Sequence, residues 1–558
     1  MRHAPDASSE TTVSYRRSPS EVMRLDRLGS FHATRLSFMQ TLLRRVERED
    51  WRFERRLWEI DENGLGRAVY TVYGPERDYS LVAFAHDLPD DMRSDRVIAT
   101  AWDATFSLFD GIPDEADLQR LEANVPKQEA GRVSDKELSL SRANRSVRLF
   151  NHVVESLASG QQPDRERVES TGYLMRTTAV YGSGKFGAAD RVKIADRPDV
   201  SGPFQAEMLS VWLTRAFTLD LAEHLARCRG GERATTLDPD LRRLFGVGNS
   251  TGLGMAPFLM NHPVLFNNWI AAREEAFARV RALPIAGTEE IATFRDTLQA
   301  AIRNARFWTS DHPLQQDKLA VLRRDLETIT GHTTDNAAFA GDRPWDRLWH
   351  WGQQTLGLEG QEALVPLILE PHGDLIDDLT ACMAADEDSE FRINGGQTVT
   401  ELRDLMVRSY DWALDTDYDT PDHNARFWYV SEEKLEPRLG ERHSEDGGHL
   451  EQPLATGRDA ARLKTALDAW RGGDLVADFL LAHPEHRHMV RRAQIAARFP
   501  YSEIRDNLID ATMLPIDLLR CKLSFFGASR FDPRSDRWVR ICMYQGATFP
   551  HELLKAPA

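Results

Sequence analysis

Residues 245 to 263 read Phe245-Gly-Val-Gly-Asn-Ser-Thr-Gly-Leu-Gly-Met-Ala-Pro-Phe-Leu-Met-Asn-His-Pro263. Four glycines and three small polar side chains stand here between two helical patterns. Glycine loses more backbone freedom on folding than any other residue, so an ordered loop of this composition is costly. The stretch therefore predicts a loop held against a ligand, which Asn249, Ser250 and Thr251 would orient.

A second glycine-rich stretch follows a strand-like run, Tyr173-Leu-Met-Arg-Thr-Thr-Ala-Val-Tyr-Gly-Ser-Gly-Lys-Phe-Gly187. Its glycines have the spacing of a dinucleotide-binding turn: Gly182, Gly184 and Gly187. Pro198 comes too soon for a crossover helix directly after them, which weakens the dinucleotide interpretation. More generally, Arg176 and Lys185 would grip an anion together with backbone amides. An ordinary structural turn is the alternative.

The arginines of residues 135 to 158 form a third feature. Leu140, Ala143 and Val147 recur at helical spacing, which predicts a helix over this range. On another face of that helix Arg145 and Arg148 would create a positive field suited to carboxylate or phosphate. The alternative is that both arginines pair with structural carboxylates.

Candidate acid/base groups lie on an unusually apolar helix that begins near residue 205. A buried Glu207 would resist ionisation and would suit general acid or base catalysis. One turn apart, Asp220 and His224 would form an oriented pair, although a core-margin histidine is the common alternative. At a helix start, His262 would be the third proton carrier.

Composition narrows the class of protein. The 558 residues carry a formal charge of -17, which opposes binding to nucleic acid or anionic lipid. No apolar run is long enough to cross a membrane, and the polar residues 1–18 predict a disordered leader. The four cysteines are scattered, which favours a reducing, cytoplasmic location. The histidines at 483, 486 and 488 match no standard zinc spacing, so we predict no metal site.

The pattern predicts a mainly α (α+β) protein, with a large multi-helix body and a small N-terminal antiparallel β region. An amphipathic helix is expected over 19–49, short strands over 51–109, a capping box at Thr398-Val-Thr-Glu401 and a final strand over 538–544. We divide the chain into a helix and sheet region at 19–112, a helical core at 113–345 and a C-terminal helical region at 346–558.

Three functions remain open. The first is a cytoplasmic metabolic enzyme that binds a small anionic carboxylate or phosphate at the glycine-rich loops and uses general acid/base chemistry. The second is a nucleotide- or dinucleotide-dependent oxidoreductase. The third is a non-catalytic helical scaffold or regulatory protein that uses tryptophan and arginine as interface anchors. The sequence assigns no cofactor, and a homo-oligomer is possible.

Overall fold

The computed structural model describes residues 15–89, 102–126, 134–181, 196–252, 263–383, 391–416, 418, 428–430, 437–439, 456–505, 517, 519–533 and 538–553. Helix accounts for 55% of the protein and strand for 14%, and the strands build a curled mixed sheet. The protein therefore belongs to the α+β class.

Nine strands of the described chain form one sheet in the order β1-β2-β3-β4-β5-β6-β7-β11-β10. Neighbours in this sheet are antiparallel except for β6 and β7, which run parallel. The sheet strands are β1 (Arg52–Ile60), β2 (Gly66–Tyr73), β3 (Asp78–Ala85), β4 (Ala104–Asp110), β5 (Glu137–Arg145), β6 (Tyr173–Tyr181), β7 (Gly246–Gly252), β10 (Arg530–Pro533) and β11 (Trp538–Met543). The separate pair is β8 (Trp428–Val430) and β9 (Pro437–Leu439).

The prediction of a small N-terminal antiparallel β region is wrong. The sheet is larger, it is mixed, and it takes strands from the first and last hundred residues as well as from between them. The expected final strand joins this same sheet as β11, between β7 and β10. The predicted domain boundaries remain predictions, although strands from both sides of residues 112 and 345 share the sheet.

Two local predictions on the sheet are also corrected. Glu137–Arg145 is a strand and not the start of a helix, because β4 and β6 pair with it on both sides. Gly246–Gly252 is likewise a strand and not a loop, because β6 and β11 pair with it on both sides.

The described residues also form eighteen helices. In chain order they are α1 (Pro19–Val22), α2 (Phe38–Arg48), α3 (Glu115–Asn124), α4 (Phe150–Ala158), α5 (Arg165–Thr171), α6 (Gln205–Gly230), α7 (Pro239–Arg243), α8 (Pro263–Arg281), α9 (Thr288–Arg306), α10 (Pro313–Thr333), α11 (Pro344–Thr355), α12 (Leu358–Leu369), α13 (Gly373–Ile376), α14 (Val399–Leu414), α15 (Thr456–Asp468), α16 (Val476–Ala482), α17 (Arg487–Arg498) and α18 (Arg520–Phe526). Short 3-10 turns occur at Gly231–Arg233, Asn336–Phe339, Asp377–Met383, Pro484–His486 and Pro550–Leu553.

Helix α6 is the centre of the fold. It connects β6 to the parallel strand β7 and packs against β3, β4, β5, β6 and β7. Nearly every residue of its first five turns is buried, because the curled sheet covers one side and other helices cover the rest. Phe217 meets Tyr70 and Phe106 edge-on at ring centroid distances of 6.4 and 5.5 Å. Such aromatic contacts fix α6 against the sheet.

Two smaller cores complete the architecture. On the opposite face of the outer strands, α3 packs through Leu118 and Leu121 onto Val82 and Phe109. In the C-terminal region, α14, α15, α16 and α17 share an apolar cluster of their own. The capping box predicted at Thr398 is confirmed, since its side chain and that of Glu401 exchange hydrogen bonds with each other's backbone amides.

The N-terminal region is less helical than expected over 19–49. It has only the four-residue α1 and the eleven-residue α2. Between them Gly29 lies against the backbone of Arg520, where an added Cβ would stand 2.4 Å from the carbonyl carbon. Residues 1–14 of the predicted leader lie outside the described residues, whereas Arg17 is described and buried.

Within the described ranges, no helix combines the length and the apolar character needed to span a bilayer.

Candidate functional site

The two glycine-rich stretches leave the sheet from neighbouring strands. Strand β6 leads towards residues 182–187 and β7 leads towards residues 253–262. Because β6 and β7 are parallel, with Arg176 beside Gly248 and Thr177 beside Asn249, both strands end at the same edge of the sheet. Ligand-binding loops are common at the carboxyl ends of parallel strands. This edge is therefore the candidate site.

Close packing explains why glycine occupies two positions at the start of β7. Neither Gly246 nor Gly248 has a positive φ. An added Cβ at Gly248 would come within 2.7 Å of the Tyr173 ring, and one at Gly246 within 2.2 Å of the Met543 carbonyl oxygen. These two glycines admit neighbouring protein atoms, so their presence alone does not indicate a ligand.

The structure places four of the predicted substrate-binding residues in the parallel pair. Arg176 is buried in β6, and Asn249 is buried in β7, where its amide nitrogen donates to Thr177 Oγ1 at 3.1 Å. Ser250 and Thr251 follow in β7, opposite Arg540 and Val539 of β11. The other residues predicted from the two glycine-rich stretches fall outside the described chain: Lys185, Gly182, Gly184, Gly187 and His262.

An arginine missed by the sequence analysis lies on the same sheet face as Arg176. Arg176 pairs with Gly248, and Gly248 pairs with Cys542. Arg540 stands two residues before Cys542 on β11, so its side chain shares that face. From strand spacing, the Cα atoms of Arg176 and Arg540 are about 12 Å apart. Arg540 could have been predicted from the sequence, because it is a single arginine within the apolar run 538–544.

Arg530 and Asp532 occupy the same face on the edge strand β10. Both are buried, and Arg530 Nε lies 3.8 Å from Asp532 Oδ2. The Arg530 guanidinium also donates to the carbonyl oxygens of Ser170 and Phe307. This end of the polar face is therefore tied to α5 and to the end of α9, whereas Arg540 is only half-buried.

The other two predicted arginines lie near the start of β6, as Arg176 does. Arg145 pairs with Met175 and Asn144 pairs with Arg176, whereas β6 runs on to Tyr181, about 17 Å beyond Arg176. The Arg145 guanidinium lies 3.8 Å from the Asp103 carboxylate and 4.8 Å from the centre of the Phe150 ring. Arg148 donates to the Tyr173 hydroxyl at 3.1 Å. The Asp103 contact is the carboxylate pairing that the structural alternative expects for Arg145, whereas the Arg148 contact is with a hydroxyl group.

The predicted acid/base groups on α6 are far apart. Glu207 is buried in the first turn and His224 lies near the end of this 26-residue helix, so about 25 Å separates them. His224 accepts from Trp58 Nε1 at 3.4 Å, and its other ring nitrogen lies 2.8 Å from the Asp61 carbonyl oxygen. His224 thus ties α6 to the β1–β2 hairpin, and the structure does not bring it together with Glu207.

A cleft of about 330 Å³ lies between α6 and the outer strands β1 and β2. At its base Asp220 Oδ2 accepts from the Tyr70 hydroxyl at 2.7 Å and from Arg55 at 3.0 Å, while Arg242 donates to Oδ1 at 3.4 Å. Burial and the nearby Asp220 charge raise the pKa of Tyr70 well above its ordinary value. Tyr70 therefore remains a hydrogen-bond donor across the physiological pH range.

The sequence analysis identified Asp220 but missed its partners. Arg55 lies opposite Tyr70 in the regular part of the β1–β2 register, just before the irregularity between Arg55 and Leu57. Arg55 could have been predicted as a partner, because a pair of arginines at 55 and 56 stands within a strand-like run.

A second carboxylate cluster is closed to solvent. Arg17 Nε and Nη2 each donate to Glu274 at 2.8 Å, and Nη1 donates to Glu362 at 2.7 Å. All three side chains are at most 3% exposed. The charges of Arg17 and Arg273 outweigh burial and lower the pKa of Glu274. The cluster joins the N-terminal segment to α8 and α12, which indicates a structural role.

In the described part of the chain, no three side chains of His, Cys, Asp or Glu are grouped as metal ligands would be.

The chain was also compared with known proteins. No family model matches it, and neither the curated proteins nor the solved structures gave a match.

Proposed function

We propose that this protein is a cytoplasmic enzyme that binds a small anionic substrate, a carboxylate or a phosphate, where β6 and β7 end. The observation that carries the proposal is the parallel pairing of these two strands. It starts both glycine-rich stretches from one sheet edge, and Arg176 and Arg540 lie on one face of the strands that lead to it.

The chemistry of that face supports an anionic substrate. A guanidinium group offers a planar fork of donors that matches carboxylate and phosphate oxygens. Arg176 is buried, so its charge acts through a medium of low polarity, and the half-buried Arg540 lies nearer to solvent. Lys185 would add a third cation from the segment that follows β6.

For proton transfer we propose Glu207 and His262. Glu207 is buried on the helix that connects the two parallel strands, and burial suits a carboxyl group to acid/base work near neutral pH. His262 immediately precedes α8. His224 is no longer proposed for this role because it is bonded at the other end of α6.

Binding of a dinucleotide cofactor is the second candidate function. Strands β6 and β7 are parallel and α6 lies between them in the chain, and Gly182, Gly184 and Gly187 follow β6 directly. Two observations weigh against it. Helix α6 starts at Gln205, well beyond the last of these glycines, and β7 ends in Thr251 and Gly252 without the acidic residue that would bind a ribose.

The test is ligand-induced stabilisation of the full chain. Phosphate, pyrophosphate, malonate and succinate form one panel, and NAD, NADP, ATP and flavin form another. A true ligand at 100 times its Kd stabilises by about 2.7 kcal/mol. We expect a response to the first panel that Arg540→Met and Lys185→Met abolish, while Arg229→Met, an exposed change on α6, preserves it.

Two results would decide against the proposal. A response to nucleotides alone favours the dinucleotide function. No response to either panel leaves the non-catalytic scaffold as the better account.

A further inference from the structure

We propose that the cleft between α6 and strands β1 and β2 binds a small monocarboxylate with an apolar tail, an aliphatic or aromatic carboxylic acid. Strands β3, β4 and β5 separate this cleft from the β6–β7 edge along the sheet, and the proposal does not depend on the function proposed there. The cleft volume of about 330 Å³ is at the lower end of the range for small-molecule sites. It therefore suits a small acid and not a nucleotide.

One wall of the cleft is apolar. It is formed by Phe53 of β1, by Leu213 and Ala216 of α6, and by Pro550. Phe53 packs edge-on against the buried Trp212 at a ring centroid distance of 4.7 Å, and Leu213 is itself buried. These contacts fix the wall in the absence of a ligand, so the hydrophobic effect favours an aliphatic or aromatic tail against it.

Arg55 offers the group that would bind the carboxylate. Its side chain is 44% exposed and lies over the Trp58 ring at 4.9 Å, which holds the guanidinium beside the cleft. One terminal nitrogen donates to Asp220 at 3.0 Å. A guanidinium group has several N–H donors in a planar fork, so donors remain on the exposed side of Arg55.

The other charged groups at the base of the cleft are already bonded. Asp220 accepts from the Tyr70 hydroxyl at 2.7 Å and from Arg55 at 3.0 Å, while Arg242 donates to its second oxygen at 3.4 Å. Arg242 also donates to Glu223 at 2.9 Å. A single exposed guanidinium favours a ligand with one carboxylate over a dianion, and it repels an ammonium group.

A guanidinium between two carboxylates is an arrangement that this protein already contains. Arg17 donates to both Glu274 and Glu362. Arg55 would join Asp220 and the ligand carboxylate in the same way. Guanidinium–carboxylate pairs are often bidentate, which adds directional specificity. The ligand carboxylate would therefore lie at the mouth of the cleft, and the tail would extend inwards along the apolar wall.

Calorimetry on the full chain with three probes tests the proposal. The first probe, 4-methylpentanoate, has both the carboxylate and the apolar tail. The amide of this acid, 4-methylpentanamide, has the tail without the charge, and acetate has the charge without the tail. We expect 4-methylpentanoate to bind at least tenfold more tightly than either of the others. Arg55→Met should weaken its binding at least tenfold, and the fold should be retained because Arg55 is exposed.

The matched control is Arg56→Met, which removes the same charge from the next residue of β1. Arg56 is also exposed, but it donates to the Tyr73 hydroxyl at 3.3 Å on the opposite face of the sheet, where Glu54 also contacts Tyr73. This variant should leave the Kd for 4-methylpentanoate unchanged. Equal weakening by Arg55→Met and Arg56→Met would assign the effect to general surface charge and would overturn the site.

The probes can also overturn each part of the assignment. Equal affinity for 4-methylpentanoate and its amide would remove the carboxylate, and equal affinity for 4-methylpentanoate and acetate would remove the apolar wall. Absence of binding at millimolar concentration would overturn the cleft as a ligand site. Arg540→Met should leave 4-methylpentanoate binding intact, whereas the response to phosphate and dicarboxylates depends on Arg540. Failure here is therefore distinguishable from failure of the proposed function.

Discussion

The Arg17 cluster and the Asp220 cluster use the same chemistry in opposite settings. In the first, Arg17 joins two carboxylates, and no member is more than 3% exposed. In the second, Asp220 joins two arginines, and one of them, Arg55, is 44% exposed and borders a cleft. The difference teaches that burial decides the role of an ion pair. A closed cluster fixes the fold, whereas an open one remains accessible to a ligand.

The largest expected effect follows from opening the closed cluster. Arg17→Met leaves Glu274 and Glu362 buried without their main partner, which should cost about 3 to 5 kcal/mol of unfolding free energy. Chemical denaturation followed by tryptophan fluorescence measures the loss. Arg229→Met is the exposed control. If both variants unfolded at the same denaturant concentration, the closed cluster would have no structural role.

A pair of tyrosines gives a finer comparison. Tyr410 donates to the buried Glu503 at 2.9 Å, and Tyr70 donates to the partly exposed Asp220 at 2.7 Å. Tyr410→Phe should cost about 1.5 to 3 kcal/mol, and Tyr70→Phe about 0.5 to 1.5 kcal/mol, because water can replace the lost donor only at Asp220. The same denaturation assay compares them. A larger loss for Tyr70→Phe would contradict the role assigned to burial.

The closed cluster should also contribute to the loss of stability at low pH. The folded state lowers the pKa of Glu274 below its ordinary 4.5, so its contribution is present above that pH and is lost as the pH falls through the folded pKa. One such group changes stability by at most about 1.4 kcal/mol per pH unit. Glu274→Gln should therefore flatten the acid limb of the stability profile.

Glu359 should change the pH dependence of the unfolding free energy in the opposite direction. Burial is the largest effect on its carboxyl group and raises its pKa above 4.5. The folded state thus holds this proton more tightly, and the associated stabilisation is lost as the pH rises through the folded pKa. Glu359→Gln should steepen the acid limb where Glu274→Gln flattens it. Identical profiles for the two variants would contradict both assignments.

The smallest expected effect is at the open cluster. Arg55→Met should change the unfolding free energy by less than about 1 kcal/mol, because an exposed pair gains little and is screened by salt. The difference from the unchanged protein should shrink further at 1 M salt. A loss as large as that of Arg17→Met would mean that the cleft is part of the structural framework.

The sequence analysis succeeded where the signal is local. The capping box at Thr398 is confirmed because its hydrogen bonds join residues three apart. The strand-like run from Tyr173 is β6, since β-branched and aromatic residues mark it. The final strand predicted over 538–544 is β11 for the same reason.

It failed where a distant partner decides the structure. Ser139 and Ser141 occupy a strand because β4 and β6 pair on both sides, which a helical count of Leu140, Ala143 and Val147 cannot detect. The glycines of β7 resemble a loop in the sequence because the Tyr173 ring that covers Gly248 lies far away along the chain. The partners of Asp220 were missed for the same reason, since β1, β2 and α7 supply them.

The position of β11 has a consequence for how the chain acquires its fold. Strand β7 ends at Gly252, and the strand that pairs with its free side begins at Trp538. During synthesis β7 therefore has one exposed edge until most of the helices have emerged, and the contact that covers it is among the most nonlocal in the protein. Contacts of this kind slow folding and leave strand edges open to aggregation. Because of this topology, we expect the protein to refold slowly from denaturant or to need chaperones to fold.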